Sequence, residues 1–121
     1  MASKVSDKTI RYYNVKNYPN VTHLKAEIYY SLGGINYFTY KNESRGYYMS
    51  ISPVKREVTD SGYTMESYTA FSGLKQCVLP VQRKSQKKMN EAIEYFDKHI
   101  LEFMNNHFSE FDVDTENYEV R

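Results

Sequence analysis

From His23 to Leu32 apolar and polar positions alternate: Leu24, Ala26, Ile28, Tyr30 and Leu32 fall on one side, His23, Lys25, Glu27, Tyr29 and Ser31 on the other. A repeat of two is the period of a strand with one dry face. Gly33 and Gly34 follow, and two adjacent residues tolerant of positive φ suit a tight primed hairpin turn. The pattern predicts a return strand over residues 35–41, a polar turn over 41–46 and a third strand over 47–53. In that third strand Tyr47, Met49 and Ile51 share one side, and Tyr48, Ser50 and Ser52 the other. Pro53 has no amide to donate, so it is expected at the strand's end or at a sheet edge.

The flanking segments extend this plan. Residues 8–15, KTIRYYNV, are rich in β-formers and suit an edge strand. Residues 54–58 can prolong the third strand up to turn chemistry at 59–62. A fourth strand is expected over 63–71, with Tyr63, Met65 and Phe71 inward and Thr64, Glu66 and Tyr68 outward. Residues 74–81 read as a fifth strand, or as the fourth continued past a Gly bulge, kept to an edge by Pro80. After Ser85, an apt N-cap, Met89, Ala92, Ile93, Phe96, Ile100, Phe103, Met104 and Phe108 recur at steps of three and four. That stripe predicts an amphipathic helix over 85–107, lying on the dry face of the sheet. Residues 109–121 hold five acids, opposed only by Arg121, and no helical stripe. They read as a mobile acidic tail behind a single domain of residues 1–108. The expected class is α+β: a twisted antiparallel sheet of four to five strands with one long C-terminal helix packed on one face.

Composition narrows the setting. A chain of 121 residues is one domain's worth, and 40% apolar with 16% aromatic content fits a folded globule. The single Cys77 excludes an internal disulfide. No apolar run approaches the roughly 20 residues that span a bilayer, and the first residues lack a signal peptide's apolar middle. A cytoplasmic protein without a membrane partner is expected. The net charge of +1 conceals a split: residues 1–90 hold 14 Lys and Arg against 6 Asp and Glu, and residues 91–121 hold 2 against 9. A basic body with an acidic end points to a polyanion partner, a charged interaction tail, or attraction between the two.

Two clusters carry candidate chemistry. Arg83, Lys84, Lys87 and Lys88 flank the start of the predicted helix, where cations and unpaired amides together suit phosphate. Lys25, Tyr29, Tyr48 and Tyr68, with Ser31, Ser50, Ser52 and Thr64, fall on the sheet face away from the helix, joined by Tyr37 or Tyr40. Aromatic rings beside cations form a platform on which unpaired bases stack, although tyrosine also packs well across strands or in a dimer contact. The loop 41–46, with Lys55 and Arg56, could add backbone contacts. His23, His99 and His107 are scattered, and no catalytic, metal, cofactor or small-molecule motif stands in the chain. The expected function is therefore non-enzymatic nucleic-acid binding, of single-stranded DNA first, with the acidic tail competing for the groove or recruiting a partner. The alternatives are a protein-interaction module that forms a homodimer through its tyrosine face, and an inhibitor of a host defence system whose tail mimics DNA.

The stretches GGINYFTYKNESRGYYMSISPVKRE, YTMESYTAFSG and PVQRKS resemble small uncharacterised accessory proteins encoded on conjugative and related mobile elements of Firmicutes. The resemblance covers residues 9–85. It implies a setting, that of a cell moving, copying or defending a DNA element, and no activity. In architecture alone, strands followed by one C-terminal helix resemble the Whirly and coactivator-type single-strand binders, whose motifs are not matched here.

Overall fold

The alternation at residues 23–32 forms a strand, β2 (His23–Ser31), in the computed structural model, which describes residues 8–37 and 40–121. On one side β2 pairs antiparallel with β1 (Lys8–Val15), Arg11 opposite Ala26. On the other it pairs with β5 (Gly46–Val58), Ala26 opposite Ile51. The expected central strand over 35–41 is not between them. Instead β3 (Gly34–Asn36) and β4 (Lys41–Glu43) make a separate two-stranded ribbon that leaves the main sheet. Direct pairing of β2 with β5 joins two long dry faces, and residues 38 and 39 of the expected strand lie outside the described residues. Gly33 is required at the ribbon's base: its φ is +80°, and a Cβ there would stand 2.5 Å from the Glu43 carbonyl oxygen.

The outer edge of β5 is shared by two strands. β7 (Leu74–Pro80) pairs with its first half and β6 (Thr64–Tyr68) with its second. Pro53 stands inside β5 rather than ending it. Its carbonyl accepts from the Thr69 amide at 3.4 Å and hydroxyl at 3.0 Å. The N and C=O of one strand residue point the same way, so the missing amide faces the junction between β6 and β7, where the ladder needs no donor.

The acidic segment is a strand, which corrects the expectation of a mobile tail. β8 (Val113–Val120) pairs antiparallel with β1, Tyr118 opposite Tyr13 and Val120 opposite Arg11. The main sheet thus has six strands, in the order β6-β5-β2-β1-β8 with β7 beside β5, and β1 is not its edge. Alternation is again the cause: β8 sends Tyr118 onto the Tyr13 ring, centroids 5.1 Å apart, while Glu119 falls on the other face. Phe111, just before it, is buried.

The helix α1 (Gln86–His107) crosses one face as its stripe requires. Ser85 caps it by accepting from the Lys88 amide at 3.1 Å. The Tyr47 hydroxyl pins the same point, accepting from the Ser85 amide and donating to its carbonyl, both at 2.9 Å. Met89, Ala92, Phe96, Ile100, Phe103, Met104 and Phe108 are buried with Leu24, Ala26, Ile28, Tyr47, Met49 and Ile51. Each large apolar side chain among them contributes about 1.5–3 kcal/mol. Toward β1, Asp97 of α1 pairs with Arg11, whose guanidinium lies 4.4 Å from the Tyr118 ring and 5.7 Å from the Phe96 ring. Burial opposes the Arg11 charge, but the Asp97 and Tyr13 hydrogen bonds more than restore it. The helix packs on β2, β5, β7 and β8 and does not extend over β6. Tyr63 and Met65, expected inward, are therefore exposed, while Phe71 packs against the Tyr18 and Phe111 rings.

Candidate nucleic-acid interface

The sheet face away from α1 collects the four expected residues, Lys25 and Tyr29 from β2, Tyr48 from β5 and Tyr68 from β6. Tyr29 stands opposite Tyr48, and their rings stack at 6.0 Å and 21°. They do not form an open platform. Tyr48 is 5% exposed and donates its hydroxyl to the Ser44 carbonyl at 2.6 Å, with the Lys75 ammonium 5.6 Å from its ring. Tyr29 is half-buried, and burial pushes its phenol up. Of the three tyrosines only Tyr68, 70% exposed, presents its ring to solvent. It lies opposite Val54, six residues along β5 from Tyr48, or roughly 20 Å away at the rise of a strand.

The cations of this face already hold carboxylates. The Lys25 ammonium donates to Glu66 Oε2 at 2.8 Å and lies 3.4 Å from Glu27. Burial works against its charge, and the Glu66 hydrogen bond raises its pKa overall. Glu66 also accepts from the Tyr12 hydroxyl at 2.6 Å. Burial works the other way, but Lys25 and Tyr12 hold its carboxyl below the ordinary range. Arg56 lies over the Tyr12 ring, its guanidinium carbon 3.9 Å from the ring centre, and donates to Glu119 at 3.1 Å. Beside it His23 meets the Thr22 hydroxyl at 2.7 Å, and burial with the Arg56 charge pushes the imidazole down. The sequence reading missed these partners because Glu66 is 41 residues from Lys25 and Glu119 is 63 from Arg56. Parity along a strand gives the face of a residue, not its neighbours on remote strands.

The second cluster is differently placed. Arg83, Lys84, Lys87 and Lys88 surround the start of α1, whose first turn has no acidic residue; Lys88 pairs with Glu91 at 3.1 Å. Lys84 lines a hollow of about 540 Å³ with Tyr30, Ser31, Leu32 and Gly33, at the root of the ribbon. Arg45 adjoins it, its carbonyl accepting from the Gln82 amide at 3.3 Å. From this root the ribbon carries Leu32, Ile35, Tyr37 and Tyr40, all exposed, Tyr37 at 77% and Tyr40 at 84%. The structure thus places Lys84 at the root of the ribbon and leaves Tyr68 opposite Val54, toward the far end of β5. Among the described residues, no helix is long and apolar enough to cross a membrane. No family model, no curated protein and no solved structure matches the chain.

Proposed function

We propose that this chain binds nucleic acid without catalysis, single strands in preference to duplex, at the end of the sheet where the ribbon and the helix start meet. One observation carries the reading: Lys84, beside the first turn of α1, lines the hollow at the root of the ribbon whose Tyr37 and Tyr40 are exposed, and that turn holds no acidic residue. A strand needs cations for its phosphates and ring faces for its bases, and this end offers both. The open face is a poorer candidate, because Lys25 and Arg56 are held by Glu66 and Glu119 and Tyr48 is buried. The likeness to mobile-element proteins makes DNA the first strand to test. The acidic residues of 113–120 are held on β1 as β8, so they enter this reading as part of the sheet.

A second reading rests on Leu32 and Ile35, which are exposed on the same ribbon although bases do not require them. It makes the ribbon a docking surface for a protein. Fluorescence anisotropy of labelled single-stranded and duplex oligonucleotides at two salt concentrations separates the two. Nucleic-acid binding predicts affinity for the single strand that falls with salt, with a slope near −0.7 per phosphate contacted. Replacing Arg83, Lys84, Lys87 and Lys88 together by Ala is expected to reduce that slope by about 2–3. Tyr37→Ala and Tyr40→Ala are expected to cost about 1–3 kcal/mol per stacked base with the slope unchanged. No binding at low salt would assign the ribbon to a protein partner.

A further inference from the structure

The sheet has three outer strands, and β6 differs from the other two. β8 carries Asp114, Glu116 and Glu119, and β7 carries Lys75 and ends on Pro80. Charges and proline are the means by which edges are kept from pairing with other chains. β6, TMESY, has one charged residue, Glu66, and its carboxylate is drawn onto the open face by Lys25 and Tyr12. Around it Val58, Tyr63, Met65 and Tyr68 are all exposed. They flank the strand on both faces, Met65 on the helix side and Tyr68 on the open side.

The backbone of β6 is oriented for a further strand. The Thr59 amide donates to the Tyr63 carbonyl at 2.7 Å and the Thr69 amide to the Pro53 carbonyl at 3.4 Å, so the odd-numbered residues of β6 bond to β5. Bonded and non-bonded pairs alternate in an antiparallel ladder. The N–H and C=O groups of Thr64, Glu66 and Tyr68 therefore point away from the sheet. The phase is consistent on β5, where the amide of Arg56, opposite Glu66, turns away from β6 to the Thr22 hydroxyl at 2.8 Å.

We propose that β6 pairs antiparallel with β6 of a second copy, about a two-fold axis at Met65, so that one sheet runs through both chains. Side chains select the register. An axis at Glu66 would set two carboxylates opposite each other, and like charges in that position are unfavourable. An axis at Met65 sets Met65 against its counterpart, Glu66 against Thr64 and Tyr63 against Ser67, and brings the outward groups of Thr64 and Glu66 into bonded pairs. A second copy is admitted here because the two-fold register sets the one charge of β6, Glu66, against Thr64 and not against itself. The chain's net charge of +1 also sets up almost no repulsion between copies, and Lys55 near the axis is neutralised by Glu57 at 2.9 Å. The pairing is independent of the nucleic-acid reading, whose cluster lies at the opposite end of β5.

The test is sedimentation equilibrium on the full chain up to about millimolar concentration, with amide exchange read at low and high concentration. The mass is expected to rise from one chain to two, and the Thr64 and Glu66 amides to become protected as it does. Thr64→Pro removes an outward donor and leaves the bonds to β5 intact. Met65→Lys places two ammonium groups face to face at the axis. Each variant, with unchanged far-UV circular dichroism and thermal midpoint, is expected to raise the dissociation constant about tenfold or more. A single-chain mass throughout, or a dimer that neither variant weakens, would overturn the proposal.

Discussion

Tyr48 and Tyr68 share a residue type and a sheet face, yet their surroundings give them different work. Tyr48 is buried between the Tyr29 ring and Lys75, its hydroxyl fastened to Ser44 at the root of the ribbon. Tyr68 stands open, with the Lys25 ammonium 6.0 Å from its ring. Tyr48→Ala is therefore expected to cost about 3 kcal/mol of stability, since a large ring leaves a cavity the sheet cannot close. Tyr68→Ala is expected to stay within about 0.5–1 kcal/mol. Urea unfolding of both variants measures the difference, and equal costs would contradict the packing described for Tyr48. The face of each tyrosine was legible from its parity in the strand. Exposure was not, because it depends on residues such as Ser44 and Lys75, which reach the ring only through the pairing of β5 with β7 and the path of the ribbon.

Among elements, α1 and β8 mark the two extremes of legibility. The helix could be read directly: eight apolar residues at steps of three and four and a serine cap need no tertiary information. β8 was concealed by its charge. Five acids over residues 109–121 suggest a solvated tail, but only alternate residues of a strand face the core, and Tyr118 is enough to cover Tyr13 and Arg11. A chain ending at residue 112 would lose the ladder on β1, at about 0.5–1.5 kcal/mol per hydrogen bond, and the ring over a desolvated guanidinium, about 2 kcal/mol. It is expected to be less stable by about 3–5 kcal/mol in urea unfolding. An unchanged midpoint would restore the mobile tail.

Over the whole molecule, the basic body and acidic end attract each other in part, since Arg11–Asp97 and Arg56–Glu119 both join residues 1–90 to 91–121. The pKa shifts then set the pH range of stability. The His23 imidazole lies below its ordinary 6.5 and the Glu66 and Glu119 carboxyls below 4.5, so in acid the folded chain binds fewer protons than the unfolded one. Stability is lost as pH falls through those values. Burial first of all pushes Tyr12, Tyr29 and Tyr48 above 10, and Tyr13 up to about 12. There the folded chain keeps protons that the unfolded chain releases, and Lys25, raised by Glu66 against its burial, acts with the same sign. The urea midpoint is expected to be flat between about pH 6.5 and 10 and to fall on either side, with His23→Gln removing the first step of the acid fall. A maximum below about pH 5 would contradict these environments.

Local periodicity determined by itself the strand at 23–31, the start of the strand at 46–58 and the helix with its cap, with the face of each residue on them, and residue type alone pointed to the strand at 8–15. These follow from side-chain direction along one element, which neighbours in sequence fix. Tertiary structure decided which strands meet: that β2 passes over the ribbon to β5, that β8 closes the sheet on β1, and that Pro53 is tolerated where two partner strands divide. It also decided which charges meet: Lys25 and Arg56 are held by carboxylates from distant strands, and Lys84 is brought to the root of the ribbon. Both outcomes depend on pairings between residues far apart in the chain, where many partners are possible and only packing of the whole core selects among them.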